Sequence, residues 1–158
     1  MDPADIYLTP DGHRKLVEKL ERLKTVRRRE ISKEIEDARS HGDISENAEY
    51  DAAKDAQAHN EAGIAELESK LAQAKILDSA SMPSDEVLIG AKVLLKDMVT
   101  DEELEYTLVS EMEADYAQGK ISISSPVGKG LMNRKPGEVA EIKIPAGVLK
   151  YKILKISR

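Results

Sequence analysis

The chain of 158 residues contains no cysteine, no tryptophan and no phenylalanine, and five tyrosines are its entire aromatic complement. The missing cysteines exclude disulfides, thiol catalysis and thiolate metal sites, and agree with a reducing compartment. With aromatics this scarce, the 41% of residues that are apolar must pack through Leu, Ile, Val and Ala. No apolar run approaches the ~20 residues needed to cross a bilayer. The opening MDPADIYLTPDG lacks both a basic start and an apolar core of the signal-peptide kind. The expectation is a soluble cytoplasmic protein without a membrane partner. His13, His41 and His59 have no metal-ligand spacing, no phosphate-cradling glycine loop with its lysine is present, and Ser124-Ser125 has no nearby base. Catalytic readings of these residues are therefore the weaker ones, and for each histidine a surface or packing role is expected.

Thr9-Pro10 reads as a helix N-cap followed by proline at the first helical position, where its missing N–H costs nothing. From there a helix is predicted to about Ser40. Its apolar positions Leu16, Leu20, Leu23, Ile31, Ile35 and Ala38 recur at threes and fours, except at a slot near Arg27. His41-Gly42-Asp43 interrupts the pattern, since glycine can close one helix and Asp43 or Ser45 can cap the next. A second helix is predicted to roughly Leu77. Folding the two back antiparallel pairs Leu16 with Leu71, Leu20 with Leu67, Leu23 with Ile64, Ile31 with Ala56 and Ile35 with Ala52, and sets Arg27 against Asn60. Apolar residues meet apolar ones and a single polar layer meets itself, which favours one helical hairpin with its register fixed by that layer. Arms of about 30 residues reach on the order of 45 Å, more than a small core requires, so the hairpin reads as a projecting arm.

Residues 78–86, DSASMPSDE, form a short polar linker around Pro83. Beyond Gly90 the period changes. AKVLLK, EYTLVS, KISIS, VAEIKI and YKILKI are short strand-like runs, separated by turn signals at Asp101-Glu102, Gly119-Lys120, Pro136-Gly137 and Ala146-Gly147. SPVGKGLM, residues 125–132, fits a short helix. The predicted fold class is α+β: an antiparallel coiled-coil hairpin over residues 1–77 with its tip near 42–47, a linker over 78–89, and a compact, mostly antiparallel β domain with one short helix over 90–158.

Charge is unevenly placed within a net of -6, a total that argues against coating nucleic acid by bulk electrostatics while leaving room for a local patch. Between residues 34 and 61 stand Glu34, Glu36, Asp37, Asp43, Glu46, Glu49, Asp51, Asp55 and Glu61, against Arg39 and Lys54 only. Between 22 and 33 the balance reverses, with Arg22, Lys24, Arg27, Arg28, Arg29 and Lys33 against Glu30. The basic stretch can be an ordinary solvated helix face, or, because Arg28 and Arg29 lie off the apolar stripe, a phosphate-binding patch. Asp43-Ile44-Ser45-Glu46 likewise has two readings. It is the spacing of a capping box, and it also sets two carboxylates on one side of a first helical turn, where they can share a divalent cation. Two carboxylates make a weak Mg²⁺ site that fills only when a partner or a substrate phosphate completes the octahedron.

Three ordered segments, YLTPDGHRKLVEKLERLK, ARSHGDISENAEYDAAKDAQ and ISISSPVGKGLM, resemble the bacterial GreA-type transcript cleavage factors, and the likeness covers nearly the whole chain. The resemblance implies an N-terminal coiled-coil hairpin and a C-terminal domain of FKBP-like shape without prolyl isomerase activity. It implies that RNA polymerase is the partner, with the C-terminal domain at the rim of the secondary channel and the hairpin passing down it. There such a factor, expected as a monomer with neither nuclease activity of its own nor a small-molecule substrate, meets the extruded RNA 3′ end of a backtracked complex and stimulates the polymerase's own endonucleolytic hydrolysis. Carried over by residue, Asp43 and Glu46 would help hold a Mg²⁺ shared with polymerase and position the attacking water. The stretch Arg22, Lys24, Arg27, Arg28, Arg29 and Lys33 corresponds by position to an RNA-contacting patch, and Ser125 and Pro126 to a polymerase-contacting loop. Arg28-Arg29 departs from the Arg-Pro of many members and bears on the local bend of the arm. Two other classes remain open on the sequence: a Gfh-type inhibitor that blocks the channel, against which the intact Asp43 and Glu46 speak, and a plain coiled-coil adaptor.

Overall fold

The computed structural model describes residues 5–41 and 44–158, and side chains outside 41–47. It divides into two compact units, one of residues 13–74 and one of residues 1–12 together with 75–158. Among the described residues no helix is long and apolar enough to cross a membrane.

The helical unit begins within α1 (Pro10–Arg22), passes through a π-helical turn (Leu23–Arg27) into α2 (Arg28–His41), and returns along α3 (Ile44–Gln73). At 30 residues α3 is about 45 Å long. The single unbroken first helix expected from the sequence is thus interrupted at the slot around Arg27. Ile31, Ile35 and Ala53 form the distal core with Tyr50 and Ala56 packed against it, and Ile64 and Leu67 are buried further along α3. The pairing of Ile31 with Ala56 agrees with the expected register, whereas Ala52 is exposed and Ala53 takes the buried place opposite Ile35. The second helix also stops earlier than expected. Residues Ala74–Ile76 leave it as strand β2 and pair with β1 (Ile6–Leu8), and the Leu77 amide donates to the Leu8 carbonyl at 2.8 Å. Leu8 is fully buried, so the opening residues belong to the β-rich unit and not to the hairpin.

That unit is built on a five-stranded sheet of β3 (Lys92–Asp97), β4 (Glu103–Val109), β5 (Lys120–Ser122), β6 (Val139–Ile144) and β7 (Gly147–Ser157), in spatial order β5-β4-β3-β7-β6. All pairings are antiparallel except β4 with β5, which runs parallel in the register Leu108 to Ile121. The two-residue connection at Pro145-Ala146 makes β6 and β7 a hairpin, and Gly147, the first residue of β7, has a positive φ that glycine adopts freely. Val93, Leu95, Leu108, Ile121, Leu131, Ile142 and Ile153 supply most of the core, and Tyr151 is buried among them. The short helix α4 (Pro126–Leu131) lies close on the sheet because Gly128 and Gly130 lack side chains: a Cβ at Gly128 would stand 2.0 Å from the Ser122 carbonyl oxygen, and one at Gly130 would stand 2.5 Å from Ile142 Cγ1. The architecture is α+β, a long helical hairpin and a mixed sheet with one packed helix.

Candidate functional site

The distal part of the hairpin carries the acidic surface read from the sequence. Its core faces are taken by Ile31, Ile35, Ala38 and Ala53, so helical geometry turns Glu34, Glu36, Asp37, Glu49, Asp51 and Asp55 outward, and all six are exposed. Glu34, Asp37 and Glu49 rim an open groove of about 380 Å³ floored by Ala38, Ala52 and Ala53. Asp43 lies outside the described residues, as does the side chain of Glu46, whose backbone belongs to the first turn of α3. Among the described residues no group of three or more His, Asp or Glu side chains could hold a metal ion.

Both cations of this acidic region are held by neutral partners. Arg39 lies over the Tyr50 ring, 5.6 Å from its centroid, and its Nη2 donates to the Tyr50 hydroxyl at 3.5 Å. The neighbouring guanidinium lowers the phenol pKa of Tyr50. Lys54 Nζ donates to Gln57 Oε1 at 2.8 Å. The Arg39–Tyr50 contact has no signal in the sequence because it joins two helices eleven positions apart across the bend.

The basic stretch divides into occupied and unoccupied members. Lys24 pairs with Glu68 at 3.1 Å, and Arg27 reaches Glu30 and Glu34 at 3.2 and 3.3 Å. Arg28 forms a two-pronged pair with Glu61 on the opposite helix, Nε and Nη2 each donating at 2.8 Å. The paired carboxylate raises the Arg28 pKa, and the guanidinium in turn lowers that of Glu61. The position of Arg28 off the apolar stripe predicts a side chain free to meet phosphates. It is instead engaged across the hairpin, because α3 brings an acidic residue to its level. Arg22, Arg29 and Lys33 are exposed and have no ion pair among the described residues. The polar layer also differs in detail: Asn60 meets the backbone of Leu23, not the Arg27 side chain, donating from Nδ2 to the Leu23 carbonyl at 3.2 Å.

In the β-rich unit, Ser125 is the N-cap of α4. Its hydroxyl donates to the Ser122 carbonyl at 2.6 Å and accepts from the Gly128 amide at 3.0 Å. Both functions of that hydroxyl are thus used internally, while Pro126 at the first helical position is exposed. The Ser122 and Ser124 hydroxyls lie 2.7 Å apart, which steadies the same loop. A further anchor that the sequence does not reveal ties the start of α1 to this unit. The Glu113 carboxylate accepts from the Thr9 amide at 2.9 Å and from the Thr9 hydroxyl at 2.6 Å, while Thr9 Oγ1 accepts from the Gly12 amide at 3.0 Å. Thr9 is legible as a cap, but its partner lies more than a hundred residues away and carries no local signal.

Comparison with known proteins covers both units. A model of the transcription elongation factor N-terminal domain of GreA and GreB matches residues 6–76, and one of the GreA/GreB C-terminal domain matches residues 82–158. The transcription elongation factor GreA of Chloroherpeton thalassium is 51% identical over 150 residues, covering 95% of each chain. That of Clostridium kluyveri is 52% identical over 151 residues, covering 96% of this chain and 95% of the relative. Among solved structures, the GreA factor homolog 1 (Gfh1) of Thermus thermophilus is 31% identical, covers 98% of this chain and 99% of its own, and superposes with a TM-score of 0.44.

Proposed function

Because the chain belongs to the GreA/GreB family of transcription elongation factors, we propose that it acts on RNA polymerase by entering the secondary channel and stimulating the polymerase's own Mg²⁺-dependent cleavage of a backtracked RNA 3′ end. The observation that carries this reading is the hairpin's distal surface, where an aliphatic core turns Glu34, Glu36 and Asp37 of α2 and Glu49, Asp51 and Asp55 of α3 outward, on the two helices between which Asp43 and Glu46 fall in the sequence.

The donor chemistry fits the ion. Helix α3 begins at Ile44, so Asp43 directly precedes its first residue and Glu46 falls within its first turn. Asp43 and Glu46 offer hard carboxylate oxygens of the kind Mg²⁺ takes, and they would hold it together with ligands from polymerase and the RNA phosphate. When bound, the ion supplies charge neutralisation at the phosphate and a more acidic water. This chain's part is to bring two carboxylates to a centre that polymerase owns and to orient the water between them, without nuclease activity of its own.

Arg22, Arg29 and Lys33 are the cations available to RNA phosphates without first giving up a carboxylate, whereas Lys24, Arg27 and Arg28 must exchange one. In the β-rich unit Pro126 presents the exposed corner of the polymerase-contacting loop, and Ser125 holds that corner in shape.

The test is a stalled, backtracked elongation complex with Mg²⁺, in which the added protein is expected to shorten the RNA. Asp43→Ala and Glu46→Ala are each expected to bring cleavage to the level seen without the factor while leaving polymerase binding, measured by competition, nearly intact. No shortening by the unaltered protein at saturating concentration rejects the proposal.

A further inference from the structure

Leu16, Leu20 and Leu23 set an alternation of four and three along the first arm. Continued past Leu23 and Arg27, that alternation would place Glu30, Glu34 and Asp37 against α3. The structure buries the residue after each of these instead: Ile31 at 1% exposure, Ile35 at 8% and Ala38 at 6%. One residue has therefore been added to the stripe between Leu23 and Ile31, and the π-helical turn Leu23–Arg27 accommodates it. A wider turn absorbs an extra residue and rotates everything beyond it by about 100°, the angle of one helical position. The distal core requires this rotation somewhere in the segment, but it does not by itself say where.

Asn60 is 7% exposed, and its amide donates to the carbonyl of Leu23, the first residue of the wide turn. A π-turn displaces carbonyls from their usual donors, so a side-chain amide at this level stabilises the turn in this place over others. Beside it lies a cavity of about 110 Å³ lined by Arg28, Ile31, Ser32, Gln57, Asn60 and Glu61, space into which the helix could relax if the extra residue moved toward Ile31. The Arg28–Glu61 pair closes the same layer from the outside.

We infer that Asn60 is a positioning residue: it pins the extra residue at Leu23–Arg27 and thereby fixes how the distal hairpin, with its tip carboxylates, is rotated and bent relative to the proximal part. Without it the wide turn is shared among several places between Leu23 and Ile31, and the tip explores a range of placements while the distal core stays intact. The consequence for catalysis rests on the function proposed above, whereas the pinning itself does not.

An apolar residue of similar size in a coiled-coil core commonly raises stability at the expense of a unique geometry. Asn60→Leu therefore separates positioning from folding. Since the chain has no cysteine, spin labels can be attached at Lys19→Cys and Glu36→Cys, exposed positions on either side of the turn. The expected result is a single narrow distance with Asn60 in place and a broadened or split one in the N60L protein, at an equal or higher melting temperature; Asn60→Ala should broaden it as well. In the cleavage assay N60L should lower the maximal rate severalfold at an unchanged half-saturating concentration. A narrow, unshifted distance in both variants overturns the inference. If the unaltered protein does not stimulate cleavage, the functional proposal fails, and the distance measurement still decides the role of Asn60.

Discussion

Replacing Gly128 by alanine gives a sharp test of how α4 is seated, because helix propensity and packing predict opposite signs. In an open helix, Gly→Ala adds about 1 kcal/mol of stability. At Gly128 the new Cβ would stand 2.0 Å from the Ser122 carbonyl oxygen and 2.9 Å from its carbon. Ordinary contact lies near ~3.5 Å, and the obstacle is backbone, which cannot swing aside. Forcing a methyl group into such a site costs about 1–3 kcal/mol. The same carbonyl accepts from the Ser125 hydroxyl at 2.6 Å and from the Ser125 amide at 3.1 Å, so its displacement also loosens the cap, at about 1 kcal/mol. With the propensity gain subtracted, Gly128→Ala should destabilise the β-rich unit by roughly 1–3 kcal/mol. Gly63, in α3, is the control: nothing lies within 4 Å of the place its new methyl group would take, so Gly63→Ala should stabilise the hairpin by up to about 1 kcal/mol. Urea unfolding combined with hydrogen exchange resolved by segment distinguishes the two units. A Gly128→Ala protein with protection over β5, α4 and β6 equal to or above that of the unaltered chain refutes the packing argument.

Ile31→Ala removes the most deeply buried side chain of the distal cluster. Since the hairpin is two helices thick and can partly collapse, the loss should lie near ~2 kcal/mol, the low end for Ile→Ala, and appear as a lowered helix melting midpoint by circular dichroism. The Glu61 carboxyl has a pKa held below the ordinary carboxylate range by its hydrogen bonds from Arg28. Its contribution to stability is therefore present above the unfolded pKa and disappears as pH falls through the folded value. Glu61→Gln should flatten the acid limb of the melting-temperature profile relative to the unaltered protein, with little change in slope near neutral pH; an unchanged acid limb would show that the pair contributes nothing.

Much of this arrangement is legible in the sequence because it repeats. The stripe from Leu16 to Ala38 and its counterpart in α3 announce a hairpin, and the alternation in residues 91–156 announces five strands, of which the last, β7, begins earlier than its YKILKI run, at Gly147. What stays hidden depends on single contacts between distant segments. The slot near Arg27 marks the break in the stripe, but one residue's excess over a 4-3 alternation does not reveal a π-turn unless the opposing side chain is known. Ala52 and Ala53 are chemically alike, so only the structure decides which faces Ile35. Three-residue strands such as Ala74–Ile76 have no period of their own and look like the end of a helix. The parallel seat of β5 follows from where the 111–119 segment crosses, which its composition does not encode. At the candidate site, the exposure of the acidic residues follows from periodicity, whereas the engagement of Arg28 and the use of the Ser125 hydroxyl as a cap need partners that sequence spacing alone does not identify.

The strand pair β1–β2 makes the hairpin an insertion between two strands of the other unit, and not simply a preceding domain. A fragment beginning at the linker would leave out Leu8, which is wholly buried, and the Thr9 contacts to Glu113, so it should be less stable than its own sheet would lead one to expect. The same connectivity makes residues 13–74 a cassette: a hairpin of different length or tip chemistry could be grafted between Gly12 and Lys75 with both splice points held by the surrounding fold.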